Sequence, residues 1–273
     1  MMVNKKDIVV VLGSGYVGRF MPSLNTHYST VLHTSRDPEH HLSRLPSNQR
    51  LRFDLAQPDS WHSIPSGADL LWCFPAAPLD AVRNFAHTPA ASGRLVVLGS
   101  TSAYDVGDSV DYPPPWIDES APIDYGKARV QGEELLRETC GAIVLRVAGI
   151  YGPGRNPYDW IKTGRVTLSR KYVNLIHVED LAEICVAALH HGIPTEAYNV
   201  SDGVPRTWAD IGRTLRGHDS AVAAAGEPMP SGKRIDTSKL RSLLEEARVT
   251  IRHPDLFRSL ERMHHERASG IDR

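Results

Sequence analysis

Cysteine is scarce in this sequence: three residues, Cys73, Cys140 and Cys185, stand far apart with no C-x-x-C pair. An odd, scattered set argues against a disulfide scaffold or a Cys-based zinc site. An excess of one charge is also missing. Thirty-one Lys and Arg meet 32 Asp and Glu, for a formal net charge of -1, which argues against nucleic acid or an anionic membrane as the main partner. No apolar run approaches the roughly 18 residues of a membrane span. The N-terminal MMVNKKDIVVVLGSG reaches glycine too early for a signal-peptide core. The expected location is the cytoplasm. The 13 histidines include the pairs His40-His41, His190-His191 and His264-His265, without H-E-x-x-H or H-x-x-x-H spacing. They read as solvated surface residues, and no metal is expected.

What is present is an ordinary globular composition, 41% hydrophobic and 23% charged over 273 residues, enough for a sizeable core. Ile8 to Leu12 is short, β-branched and continuous, as in a strand buried on both faces. Further strands are expected at Ser29 to His33, Leu51 to Phe53, Asp69 to Phe74, Arg94 to Leu98, Ala142 to Val147 and Tyr198 to Val200. Helical patterns fall at Val17 to Leu24 and Ala128 to Leu136, and Asp180 is placed to cap a helix carrying Leu181, Ile184, Cys185, Ala188 and Leu189. Strands alternating with helices imply an α/β fold with a doubly wound parallel sheet. Residues 1–148, completed by about 177–200, form the expected core. Residues 149–176 and 201–273 form a smaller C-terminal substrate region, with a flexible connection at Ala221 to Glu227. The stretch from Asp108 to Asp124, holding Pro113-Pro114-Pro115-Trp116, reads as a long loop.

Gly13-Ser14-Gly15-Tyr16-Val17-Gly18 follows the first strand directly and fits G-x-G-x-x-G. The first glycine permits the tight turn, the second lets the backbone approach a pyrophosphate, and the third lets helix and strand pack closely. Without a ligand, the same residues are simply a Gly-rich turn. The second strand ends in His33-Thr34-Ser35-Arg36-Asp37. Arg36 would pair with a 2′-phosphate and favours NADP, while Asp37 keeps NAD open. Asp54-Leu55 ends the third strand, placed to bond and cover an adenine, though an Asp there equally caps a helix. Gly99-Ser100-Thr101-Ser102-Ala103-Tyr104 follows the fifth strand, where hydroxyls can polarise a substrate oxygen. Tyr125 and Arg129 stand at i, i+4, so on a helix the guanidinium would stabilise a phenolate. A surface pair without catalytic work has the same spacing. Lys127 is the poorer partner, on the opposite face.

These landmarks together resemble the NAD-dependent epimerase/dehydratase family, the extended or atypical short-chain dehydrogenase/reductases. The likeness extends through Glu133-Glu134-Leu135-Leu136, Arg146 to Gly154 (RVAGIYGPG), Asn174 to Ala182 (NLIHVEDLA) and Tyr198-Asn199-Val200. The resemblance implies a Rossmann fold, NADP or NAD as cofactor, and hydride transfer on a sugar-nucleotide or similar hydroxyl/carbonyl substrate. It implies Thr101, or Ser100, as the catalytic hydroxyl and Tyr125 as the general acid/base. Arg129 takes the place of the family's lysine, on the ribose. Cofactor contacts are expected from Gly13, Gly15, Tyr16, Val17, Gly18, Arg36, Asp54, Leu55, Tyr125 and Arg129. Substrate contacts are expected from Ser100, Arg155, Asn156 and Asn174, with His177 supporting the nearby loop. Two features depart from the family: Arg129 itself, and a glycine motif one residue shorter between its first two glycines. Both match the atypical branch, in which active-site residues are often missing. The alternative is therefore an NADP-binding regulator or scaffold that catalyses nothing; a methyltransferase fits less well. The assembly expected is a monomer or homodimer.

Overall fold

In the computed structural model, which describes residues 6–21, 23–104, 111–216 and 231–268, seven parallel strands make one central sheet. They are β1 (Lys6–Leu12), β2 (Tyr28–Ser35), β3 (Arg50–Arg52), β4 (Asp69–Trp72), β5 (Leu95–Ser100), β6 (Ile143–Val147) and β7 (Ala197–Val200). The order across the sheet is β7-β6-β5-β4-β1-β2-β3. All seven lie where the sequence pattern puts strands. β1 pairs with β2 on one side and β4 on the other, so the winding reverses at β1. In such sheets ligands bind in the crevice beyond the carboxyl ends at that reversal.

Alternation along β1 explains its unbroken apolar run. Val9 and Val11 join the core layer of Leu145, Ile184 and Leu189, whereas Val10 and Leu12 join Leu70, Trp72, Phe85 and Val97 on the other face. Successive side chains point to opposite faces, and both faces are covered. The main helices are α1 (Leu79–Ala86), α2 (Ala128–Cys140), α3 (Val178–His191), α4 (Trp208–Arg216), α5 (Ser238–Ala247) and α6 (Leu256–Ala268). Gly141 ends α2 in the left-handed conformation, at φ 65°, where a side chain would be strained. A separate small cluster joins Tyr151 and Leu175 to Ile211 of α4 and to Leu256 and Leu260 of α6. By contrast, Leu240, Leu243 and Leu244 of α5 pack into the main core. At the outer edge of the sheet, one donor is taken by a side chain: Asn199 N–H of β7 donates to Glu119 Oε1 at 2.6 Å. No helix among the described residues is long and apolar enough to cross a membrane.

Two expected helix features are corrected. Residues 14–20 form turns, with Arg19 N–H bonded to Gly15 O and Phe20 N–H to Val17 O, and only Leu24–His27 is helical. Pro22 follows closely in sequence; it lacks an N–H and disfavours helical backbone in the residue before it. At α3 the cap is His177, whose Nδ1 accepts from Glu179 N–H at 3.3 Å. Asp180 lies inside the first turn and accepts instead from Arg252 N–H (2.7 Å) and His253 N–H (3.0 Å). The connection at 221–227 and the loop's start at 108–110 lie outside the described residues.

Candidate functional site

The glycine loop sits at the winding reversal, and its three glycines answer to three different constraints. Gly13 has φ +82°, and a Cβ there would lie 2.7 Å from Phe74 Cδ1. Its N–H donates to Thr34 Oγ1 at the end of β2 (2.9 Å), and Ser14 N–H donates to Thr34 O (3.0 Å). A Cβ on Gly18 would meet Ser14 Cα at 2.7 Å and Val11 Cγ1 at 3.0 Å. A Cβ on Gly15 would meet nothing within 4 Å. Gly15 alone opens onto free space, a cradle that a side chain would fill. The open side leaves room for an extended pyrophosphate, although the amides of Gly13, Ser14 and Gly15 are bonded within the protein and no helix N-terminus begins there. Val17 is buried in the core, while Tyr16 turns sideways and donates its hydroxyl to Pro153 O at 3.0 Å. Phe74, pressed on Gly13, was not singled out in the sequence. Its position just past β4 was the available signal.

At the end of β2, Arg36 is exposed, and no hydrogen bond or ion pair engages it among the described residues. Asp37 is committed: its carboxylate accepts from His40 N–H at 3.2 Å and caps the turn at Pro38–His41. Asp54 Oδ1 accepts from Ala56 N–H (3.0 Å), and its carbonyl takes Trp61 Nε1–H (3.0 Å). Leu55 lies in the core with Phe53 and Trp61.

Beyond β5 the hydroxyls do gather. Ser100 Oγ lies 3.1 Å from Ser102 Oγ and accepts from Ser102 N–H. Arg129 Nη2 donates to Ser102 Oγ at 2.7 Å, and Lys127 Nζ to Ser102 O at 2.9 Å. Lys233 Nζ bonds both Thr101 O and Tyr104 O at 3.2 Å. Three cations therefore fix this turn. Lys233 arrives from 132 residues away, a contact that sequence spacing has no means to signal.

The helical pairing of Tyr125 with Arg129 is not formed. Asp124 Oδ1 accepts from Gly126 N–H (2.8 Å) and Asp124 Oδ2 pairs with Lys127 Nζ (2.8 Å), so α2 starts only at Ala128. Tyr125 stays in the turn before it, 57% exposed, and no hydrogen bond links its hydroxyl to Arg129 or to the serines. The Tyr125 side chain borders a cavity of about 490 Å³ that also touches Glu119, Arg146 and Lys239. Arg129 leans on Glu133 instead, at 3.9 Å. Glu133 is buried under Gly99, and desolvation pushes its pKa up to about 7 against the pull of Arg129 and Arg146. Tyr104, the neighbouring phenol, is buried, donates to Asn199 Oδ1 and accepts from Arg146 Nη1.

The remaining candidates are held by local structure. Asn156 caps the short helix Pro157–Lys162, accepting from Tyr158 N–H at 2.8 Å. Asn174 is buried, donating to Lys233 O (2.8 Å) and accepting from Ile235 N–H (3.1 Å). Arg155 stacks on the Tyr16 ring. His177, Glu179 and His253 cluster with ligand-type atoms within 4.8 Å. The two imidazoles are stacked, centroids 3.6 Å apart and 17° between planes. A shared ion must lie near both ring planes, which this stack does not allow at bonding distance. Arg262 Nη2 donates to His253 Nδ1, leaving Nε2–H for Glu179 Oε2 at 2.9 Å. The cluster is a clasp between the start of α3 and the segment before α6. Desolvation, with His253 and Arg262 beside it, drives the His177 pKa down to about 3.

No protein-family model matches the chain, and no curated protein matches it. Solved structures do. A conserved protein of unknown function from Silicibacter pomeroyi is 24% identical, with a TM-score of 0.70 over 96% of this chain and 99% of that one. A protein from Methylobacillus flagellatus, assigned as a NAD-dependent epimerase/dehydratase, is 23% identical, with a TM-score of 0.71 over 97% and 99%. The Bordetella bronchiseptica enzyme WbmG, solved in complex with NAD, is 17% identical, with a TM-score of 0.70 over 96% and 95%. The chain has the doubly wound Rossmann fold of these structures, along almost its whole length.

Proposed function

We propose that this chain binds a nicotinamide dinucleotide in the crevice above β1 and β4 and acts on a sugar-nucleotide or similar hydroxyl/carbonyl substrate, as an epimerase, dehydratase or reductase. The observation that carries the reading is the open cradle at Gly15, set beside a hydroxyl turn braced by Lys127, Arg129 and Lys233. The NAD of the WbmG structure and the epimerase/dehydratase assignment of the Methylobacillus protein support the class. The bound nicotinamide supplies the hydride acceptor or donor. Ser100 and Thr101 orient the substrate oxygen, and Tyr125, exposed ahead of α2, moves the proton. Arg129 acts through Ser102 and reaches for the ribose. Arg36, free beyond β2 while Asp37 is spent on a cap, favours NADP over NAD.

A second reading, a dinucleotide-binding regulator without turnover, is favoured by Tyr125 lying off the helix and away from Arg129. Thermal unfolding with NADPH, NADH and S-adenosylmethionine side by side tests the cofactor. A ligand at a hundred times its dissociation constant adds about 2.7 kcal/mol, and NADPH should reach that at the lowest concentration. Stabilisation by S-adenosylmethionine alone would overturn the reading. With a substrate found by screening sugar nucleotides and small carbonyl compounds, Tyr125→Phe should lower turnover about 100-fold or more. Its NADPH affinity should stay within a few fold. Wild-type turnover in Tyr125→Phe would remove Tyr125 from the mechanism. A wild type that binds NADPH but turns over nothing in the panel would favour the regulator.

A further inference from the structure

The Gly152–Arg155 segment closes on itself as a tight hairpin: Gly152 N–H donates to Arg155 O (3.0 Å) and Arg155 N–H to Gly152 O (2.9 Å). It is docked on the glycine loop. Tyr16, between the open Gly15 and the closed Gly18, gives its hydroxyl to Pro153 O. Gly152 can be nothing larger there, since a Cβ would lie 2.9 Å from the Tyr16 hydroxyl and 2.7 Å from Val178 Cγ1. The Tyr16 ring carries two guanidinium groups, Arg155 at 4.9 Å and Arg19 at 5.4 Å from its centroid. Neither has an ion pair or side-chain hydrogen bond among the described residues. Glu179, whose charge also acts on Tyr16, is hydrogen-bonded by His253 and pairs with neither arginine. Two cations without a salt-bridge partner among the described residues are thus gathered at one aromatic ring, next to the open side of Gly15. Stacking fixes a guanidinium without using its N–H donors, which stay free for an oxyanion.

We propose that Arg155 and Arg19 form a diphosphate clamp on the glycine loop, and that the diphosphate is the dinucleotide's own. Arg155, which the sequence suggests as a substrate contact, then belongs to the cofactor. The hairpin that carries it is seated by the bound phosphates as well as by Tyr16. This rests on the dinucleotide reading above.

Calorimetric titration of ADP-ribose, NADPH and UDP into the full chain tests the clamp without any turnover. Arg155→Gln should weaken ADP-ribose and NADPH by the same factor, about ten- to a hundred-fold for a lost charge-assisted contact. Its unliganded melting temperature should match wild type. Arg36→Ala should weaken NADPH and spare ADP-ribose. Tyr16→Leu, which removes the platform, should also weaken ADP-ribose, and adding Arg155→Gln to it should cost little more. ADP-ribose bound by Arg155→Gln within twofold of wild type overturns the clamp while leaving the dinucleotide reading intact. Loss of UDP with ADP-ribose unchanged also overturns it, by moving Arg155 back to a substrate diphosphate. Wild type that binds neither NADPH nor ADP-ribose overturns the dinucleotide reading and the clamp together.

Discussion

The glycine loop and the turn beyond β5 lie at the same end of the sheet with β4 between them, yet they are built by different means. At the glycine loop the work is done by backbone: φ at Gly13, free space at Gly15, contact at Gly18. Each of these follows from a residue lacking a side chain, within six consecutive positions. Beyond β5 the work falls to side chains drawn from residues 100–104, 127–133 and 233, and where each lands depends on where a helix begins. A shift in the start of α2 is enough to take Tyr125 off the face of Arg129. Local, backbone-written sites survive small changes in element boundaries; side-chain constellations do not.

The largest effect expected is at Gly18. Gly18→Val would drive Cβ into Ser14 Cα and Gly13 O, neither of which can swing aside. Urea unfolding should show a loss of about 3 kcal/mol or more, and an unchanged midpoint would break the account of the loop. Gly15→Val separates binding from folding. Its φ lies outside the left-handed region and its Cβ meets nothing, so stability should stay within about 0.5 kcal/mol. Dinucleotide affinity should fall at least about a hundred-fold, or roughly 2.7 kcal/mol. Normal affinity in the folded variant would place the dinucleotide elsewhere.

The second region is sharpened by Glu133. Its folded pKa of about 7 stands above the ordinary carboxyl value of 4.5, so between those pH values the folded state holds a proton that the unfolded chain has released. Stability therefore falls as pH rises from 4.5 through 7. Glu133→Gln mimics the protonated form and should be the more stable protein at pH 8, by about 3 kcal/mol. The advantage should vanish below pH 4.5. A pH-independent difference would mean that the carboxyl is not desolvated against Gly99. The smallest effect is expected at Arg36. Arg36→Ala should cost NADPH about ten-fold, near 1.4 kcal/mol, and leave NADH unchanged. Equal losses for both cofactors would remove Arg36 from the 2′-phosphate.

The strands were the most legible part of the chain. Runs such as DLLW at 69–72 and IVLRV at 143–147 are short, apolar and bounded by turn residues, a pattern that leaves few alternatives. The helix expected after the glycine loop was less so. The apolar spacing of Val17, Met21 and Leu24 satisfies helical periodicity, but it carries no information about whether the backbone turns there close into a helix. The start of α2 at Ala128 was legible in its helical pattern; what the spacing of Tyr125 and Arg129 does not reveal is that Asp124, by bonding Gly126 N–H and Lys127, holds Tyr125 outside it. Lys233 and the His177–His253 stack depend on chain segments 76 residues or more apart, which only the folded structure brings together.

The bond from Asn199 N–H to Glu119 reaches past the site. β7 is a terminal strand, and an unpaired strand edge is a template on which another chain can extend the sheet. Glu119 occupies a donor that an incoming strand would use, while the Asn199 amide ties the same strand to Asp236 O. A carboxylate from the loop before α2 thus takes one of the donors that sheet extension at this edge would need. Glu119→Ala would free that donor and is expected to show its effect as turbidity in concentrated solution.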